Sequence, residues 1–408
     1  FFFKQKTAYE IVDCDWSSDV CSSDLVAVHP VMGGVRDLFQ ARRLAFVANV
    51  GPLTQPLSRS EWDAGTGSRP GHLFSHNDQQ SFWQSFGNEG STTGWGGRFA
   101  ELAGAANSQP NLAAISTYGR AVWTAGRSVA PYQMAPQGPV RLGGAGSTLL
   151  GSAAARQALL SVVGTARASG VLEGDLANLA QRATSLEGLL SGALPASGPW
   201  ATAGVTDQAK DPLLQYTDPL SGATAFNRLA AQLQAVARSV AARSALGMGR
   251  QVFFVGLSGW DTHDDQPARH ASLLAQLDHA LGYFDRTLTQ MGADQQVCTF
   301  TASDFGRSLA SNGDGTDHGW GSHHLVMGGA LRGGEVYGSL PVLGRPNVAG
   351  DYDSPDQVRR GALLPSTGVA SYAATLGQWF GLNDSELLGV LPALTRWPSS
   401  QRRLTLVA

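Results

Sequence analysis

Apolar and polar positions along the chain alternate between helical and strand rhythms. Val31, Val35, Leu38 and Phe39 fall on one face, which predicts a helix over 29–43. The run from Leu44 to Val50 is short, almost wholly apolar and closed by Gly51-Pro52, as expected of a buried strand. Helical pieces are predicted around 78–86 and 97–106. Residues 107–150 read as short strands between Gly/Pro turns, and 152–190 carries an Ala/Leu helical pattern with Leu159, Leu160 and Val163 in phase. After a loop-rich break at 195–219 the rhythm sharpens. Leu229, Leu233, Val236 and Val240 mark a helix over 225–246, ended by Gly247 and Gly249. A buried strand follows at 251–257. Leu273, Leu274, Leu277, Leu281 and Phe284 mark a helix over 267–291, stopped by Gly292, and the next strand is 296–301. A last helix is predicted at 369–380. Strands alternating with helices predict an α/β fold with a mostly parallel central sheet flanked by helices.

Composition changes this picture at one end only. The chain has 408 residues, 43% hydrophobic and 15% charged, with a formal net charge of -3. That excludes a disordered tail protein and a coiled coil, and no basic field points to nucleic acid. No apolar run is long enough for a membrane span. Residues 1–25 hold Lys4, Lys6, Cys14, Cys21 and five acids, and their removal leaves 27 basic and 27 acidic groups. In the remainder Lys210 is the one lysine beside 26 arginines. The first 25 residues show neither helical nor strand period, and they resemble translated sequencing-library adapter DNA. They are expected to be foreign to the fold, with 26–408 forming one domain.

Candidate chemistry gathers in the second half. Six of the nine histidines lie between His263 and His324. The strand 251–257 runs into Ser258-Gly-Trp-Asp-Thr-His263, and the strand 296–301 runs into Ala302-Ser-Asp-Phe-Gly-Arg307. In open α/β sheets, ligands bind beyond the carboxyl ends of strands, so Asp261, His263 and Asp304 are expected at one edge. Soon after comes the Gly-flanked stretch from Gly315 to His324, with Asp317, His318, His323 and His324. Carboxylates and imidazoles together suit a divalent metal that accepts nitrogen and oxygen, such as zinc or manganese, whereas calcium and magnesium prefer oxygen. Such a centre polarises a phosphoryl or sulfuryl oxygen and activates water or a hydroxyl. Arg307, three residues past Asp304, is placed to clamp an oxyanion.

Each residue also has a plainer reading. Asp261 can cap a turn and Asp304 a helix start. His270 and His279 lie inside the 267–291 helix, as surface or packing residues. His323 and His324 point to opposite faces of a strand, so one of them is structural. His72 and His76 sit in a polar loop with a possible substrate-side role, and Trp260 and Trp320 read as cleft walls.

The blocks Gly259-Trp-Asp-Thr-His263, Ser303-Asp-Phe-Gly-Arg307 and Gly315-Thr-Asp-His-Gly319, in this order, resemble the domain-of-unknown-function 1501 family. So do Gly328-Gly329, Gly333-Gly334, Val336-Tyr-Gly338, and Leu364-Pro-Ser-Thr367 ahead of Tyr372-Ala-Ala-Thr-Leu376. The resemblance spans about residues 26–385. It implies an alkaline-phosphatase/sulfatase-like α/β fold with a mainly helical and loop insertion at about 107–224. It also implies a bacterial protein exported to the periplasm or beyond, often by a twin-arginine signal. Carried over, Asp261 and His263 would bind one ion. Asp304, Asp317 and His318 would be shared with a second, and His323 or His324 would complete the site. The family's first strand ends in a Gly-Gly-x-Asp-Gly block that would precede His29, so the domain is expected to lack that strand.

The resulting expectation is a hydrolase of phosphate or sulfate esters that uses one or two divalent ions (zinc, manganese or calcium). It would act on an anionic ester, with Arg307 on the anionic group and Thr262 as candidate nucleophile. The alternative is an inactive metal-binding fold that recognises an extracellular polyanion or a protein.

Overall fold

The strand Leu44–Gly51 is buried along its whole length, which explains why its sequence shows no apolar/polar alternation. It is the centre of the main sheet in a computed structural model that describes residues 27–141, 148–165, 170–347 and 351–407. The foreign character expected of residues 1–25 lies outside the described residues. Leu44–Gly51 pairs with Ser322–Gly328 on one side, and that strand pairs in turn with Cys298–Phe300. On its other side lie Val336–Tyr337 and Thr367–Gly368. Leu44, Phe46, Leu325 and Met327 point into one core, with the helices Gly33–Gln40, Arg228–Ala241 and Gln266–Gln290. Ala45, Val47 and Val326 point into the other, with the helices Trp95–Leu102 and Val369–Phe380. The main sheet is therefore the middle layer of an α/β fold.

That sheet is mixed, which corrects the expectation of a mostly parallel one. Ser322–Gly328 runs antiparallel to both its neighbours, while Val336–Tyr337 and Thr367–Gly368 run parallel to Leu44–Gly51. The reversal has a local cause. Chain leaving Cys298–Phe300 turns through a hairpin and returns directly as the neighbouring strand, with no crossover helix between them. The strand Val252–Phe254 does not join this sheet. It pairs in parallel with Ala114–Ser116, which pairs in parallel with Tyr132–Gln133. The stretch expected as an insertion thus supplies two strands of a second sheet, as well as the helices Ala153–Gly164 and Val171–Ala193.

The strand Leu44–Gly51 carries a bulge between Val47 and Val50. Asn49 sits there at φ 49°, a left-handed conformation that asparagine tolerates better than other side chains. Its N–H donates to His323 Nδ1 at 3.2 Å, and its Nδ2 donates to the Leu364 carbonyl at 2.7 Å. The bulge thereby ties the main sheet to the loop behind it. No helix among the described residues is long and apolar enough to cross a membrane.

Candidate metal centre

Four segments converge beyond the carboxyl ends of Val252–Phe254 and Cys298–Phe300. The first strand leads to Asp261 and His263, and the second to Asp304. A hairpin, Arg307–Ser311 paired antiparallel with Thr316–His318, adds Arg307, Asp317 and His318. The helix His76–Ser85 presents His76 from its first position. Arg307 and His318 are direct cross-strand partners, so the hairpin's register delivers both to Asp261.

Asp261 is the hub. Its Oδ1 lies 3.0 Å from His263 Nε2, 3.1 Å from His318 Nε2 and 2.6 Å from an Arg307 guanidinium nitrogen. Its Oδ2 lies 3.2 Å from His76 Nε2. His263 Nε2 and His318 Nε2 are themselves 3.0 Å apart. His76 bridges onward, with Nδ1 3.1 Å from Asp304 Oδ2. Asp317 is the outermost member, 3.7 Å from His263 Nδ1 and 3.0 Å from Arg360. Ligand atoms of His76, Asp261 and His318 all fall within 4.8 Å of one another.

The orientation of His318 is set from behind. A carbonyl can only accept, so His318 Nδ1–H donates to the Phe74 oxygen at 2.7 Å. This turns Nε2, the other ring nitrogen, toward Asp261 and His263. Histidine ligands of metals are commonly fixed by such a bond on the other nitrogen. Phe305 stacks on the His318 ring with centroids 4.4 Å apart.

Electrostatics follow from this crowding. Burial works against ionisation of Asp261. The Arg307 and His76 hydrogen bonds and the charges of His263 and His318 outweigh it and hold the carboxyl down at about 2. Asp304 goes the other way, because burial raises it more than His76 lowers it. His76 is raised: burial disfavours its charge, but the bonds to Asp304 and Asp261 more than compensate.

Two glycines allow the hairpin to sit this close. A Cβ on Gly315 would lie 2.4 Å from the His263 carbonyl carbon, and one on Gly319 would lie 2.7 Å from the Arg307 carbonyl carbon. Gly315→Val is therefore expected to push the hairpin off the His263 loop and weaken metal binding roughly 10–100-fold, as loss of an orienting contact does. Metal titration checks this against the wild-type chain, and an unchanged affinity would mean that the hairpin does not position the site.

The structure thus brings together Asp261, His263, Asp304, Arg307, Asp317 and His318. It does not bring in the other two candidates. Thr262 is fully buried and its hydroxyl lies 3.0 Å from His270 Nε2. His323 is buried in the main sheet on the Asn49 bulge, with its pKa pushed down to about 3 by burial. His324 faces Thr301 and Ser322 instead, at 3.1 and 2.9 Å. Arg307 is buried, and besides Asp261 it holds the Thr316 hydroxyl and carbonyl, so its fork is already engaged. From the sequence, His76 was expected in a polar loop, with a substrate-side role only as the lesser alternative. Its role as a bridge between Asp261 and Asp304 had no signal in spacing, since it reaches the site from a distant segment. Beside the cluster, a cavity of about 300 Å³ is lined by His263, Asp317, His318, Arg359 and Arg360.

The model of one protein family, described as Protein of unknown function (DUF1501), matches residues 22–391. No curated protein and no solved structure matches the chain.

Proposed function

Because the chain belongs to the DUF1501 family, whose description leaves its activity open, we propose a function from the site itself: a divalent-metal centre that serves hydrolysis of a phosphate or sulfate ester, in the manner of alkaline phosphatases and sulfatases. The observation that carries this reading is the meeting of Asp261 Oδ1, His263 Nε2 and His318 Nε2 at 3.0–3.1 Å. Three electron-pair donors at this separation call for protons or a cation between them, and the Nδ1–H of His318 is turned to the Phe74 carbonyl instead. Mixed imidazole and carboxylate donors suit zinc or manganese.

Asp261, His263, His318 and His76 would hold the ion, with Asp304 and Asp317 at its flanks. A bound divalent ion would supply Lewis acidity toward the ester oxygen and lower the pKa of an attacking water. The chain's own residues do the rest. Arg307 fixes the Asp261 carboxylate, and the Phe74 carbonyl fixes His318. Asp304, with its raised pKa, shares a proton with His76 Nδ1 and is placed to pass it on. With Arg307 engaged, Arg359 and Arg360 on the wall of the 300 Å³ cavity are the guanidinium groups near an anionic ester.

A second reading is favoured by one observation. The Thr262 hydroxyl faces His270, and the Ser308 hydroxyl is held between the Ala310 carbonyl and the Asp317 N–H. Neither is poised as a nucleophile, so the attacking group would be water, or the site binds an anion without turnover.

The experiment compares the zinc-, manganese- or calcium-loaded chain with the chelated one on an aryl phosphate and an aryl sulfate. Turnover of one ester that falls at least about 100-fold with chelator is expected. Metal binding with no turnover of either ester would select the binding reading. Absence of metal binding would remove both.

A further inference from the structure

The helices Ala153–Gly164 and Val171–Ala193 carry apolar side chains that the rest of the protein does not cover. Ala153–Gly164 has Arg156 as its one charged residue, yet none of its residues is buried. It packs against Val171–Ala193, where the Gln181 side-chain amide donates to the Gly164 carbonyl. Along Val171–Ala193, the residues Leu172, Leu176, Leu179, Ala183, Leu186 and Leu190 recur at alternating intervals of four and three. That spacing places them on one seam of the helix. The two halves of the seam differ. Leu186 and Leu190 are buried in the core, together with Leu194. Leu172, Leu176 and Leu179 are 83%, 60% and 55% exposed. Most helical stability in proteins comes from packing an apolar face, so the exposed half of the seam calls for a partner.

The charges beside the seam indicate which partner. Glu173 and Asp175 lie near one end of the exposed half and Arg182 near the other. None of the three forms an ion pair among the described residues, whereas Glu187, further along, is held by Arg141 at 2.9 Å. Two acids beside the stripe suit an anionic lipid surface poorly, since helices that lie on such surfaces are rich in Lys and Arg. A second copy of the same helix, laid antiparallel, fits all three charges and the seam. With Leu176 set on the partner's Leu179, Leu172 meets the partner's Ala183, a large side chain against a small one. Asp175 and the partner's Arg182 then flank the seam on the same edge. Two-fold symmetry makes each contact twice.

The direction follows from the buried half. Leu186 and Leu190 already face their own core, so a parallel pair in register would bring two protein bodies to the same end of the seam. In the antiparallel arrangement the bodies sit at opposite ends of an overlap of about 12 residues, roughly 18 Å long.

We propose that the exposed half of Val171–Ala193 is a homodimer interface, in which this helix pairs antiparallel with its copy through Leu172, Leu176 and Leu179 and through Asp175 with the partner's Arg182. The seam is shorter than a standard interface, so a dissociation constant in the micromolar range is expected. The proposal does not depend on the metal centre or on the reaction it serves.

The test is sedimentation equilibrium of the full 408-residue chain from about 1 to 100 μM, with circular dichroism melts to show that each variant folds. The parent chain is expected to pass from monomer to dimer over this range. Leu176→Glu, at an exposed position, is expected to leave the melt unchanged and weaken the dimer by more than about 100-fold, because it would bury an unpaired charge. Asp175→Arg and Arg182→Asp are each expected to weaken it by about fivefold, and the two together to restore it, since the pair is re-formed with its signs exchanged. A parent chain that stays monomeric up to 100 μM overturns the proposal, and so does a dimer that Leu176→Glu leaves intact. Failure of the doubly exchanged chain to recover overturns the antiparallel pairing. Co-sedimentation of a monomeric chain with phosphatidylcholine/phosphatidylglycerol vesicles, lost in Leu176→Glu, would assign the face to a lipid surface and also overturn it.

Discussion

Replacing Asp261 by Asn is expected to abolish metal binding at micromolar ion concentrations, a loss of more than about 100-fold in affinity. Loss of an orienting partner alone costs 10–100-fold, and Asp261 contacts the proposed ion directly. One carboxylate touches His76, His263, His318 and Arg307, so no neighbour can stand in for it. The amide keeps the shape and removes the charge, leaving Arg307 buried without its counter-charge. Calorimetric titration with zinc or manganese checks the affinity, and far-UV circular dichroism checks that the fold persists. An Asp261→Asn chain that binds metal as the parent does would place the centre elsewhere.

Acidification is expected to destabilise the fold steeply between pH 6.5 and pH 5. His323 and His324 lie inside the main sheet, where burial disfavours the charged ring. His323 is lowered to about 3, and His324 falls well below its ordinary value of 6.5. The unfolded chain takes these protons near pH 6.5, whereas the folded chain refuses them until far lower. Stability is therefore complete above about pH 6.5 and is lost as pH falls toward the folded values. The slope approaches about 1.4 kcal/mol per pH unit for each ring. His76 acts in the opposite sense. Its pKa is raised, so its contribution is full below pH 6.5 and fades as pH rises through the folded value. The half-exposed His76 adds little beside two buried rings. Thermal melts in the presence of chelator at pH 7, 6 and 5 are expected to show the melting temperature falling by several degrees. A flat profile would mean that His323 and His324 accept protons in the folded state.

Much of the architecture was legible because helical periodicity is a strong signal. The 225–246 and 267–291 patterns correspond to Arg228–Ala241 and Gln266–Gln290, and the 369–380 pattern to Val369–Phe380. The strand at Leu44–Val50 was equally clear, since Gly51-Pro52 marks its end. Sheet order was not legible. Ser322–Gly328 is buried on both faces and opens with Ser-His-His, so it carries neither alternation nor a pure apolar run. The helix–strand rhythm also gave no hint that Val252–Phe254 and Cys298–Phe300 belong to different sheets.

The site was legible to the extent that it lies at strand ends. Asp261, His263 and Asp304 follow from the topology of α/β sheets, and Asp317 and His318 from their glycine-flanked stretch. The hairpin geometry that joins Arg307 to His318 was hidden, because Asn312-Gly-Asp-Gly315 reads as loop in either case. His76 was hidden as a bridging group, because a long-range contact made by one residue leaves no pattern around it. Thr262 was misleading: it sits between two site residues, and the turn at Gly259 directs it inward to His270.

The central claim is that Asp261, His263, His318 and His76 form a divalent-metal centre. Its most direct measurement is the metal content of the purified 408-residue chain, by elemental analysis after equilibration with zinc, manganese or calcium and removal of free ion. At least one ion per chain, absent from the Asp261→Asn variant, is the result this account predicts. A chain that retains no ion from any of the three, or an Asp261→Asn chain that retains as much as the parent, would contradict it.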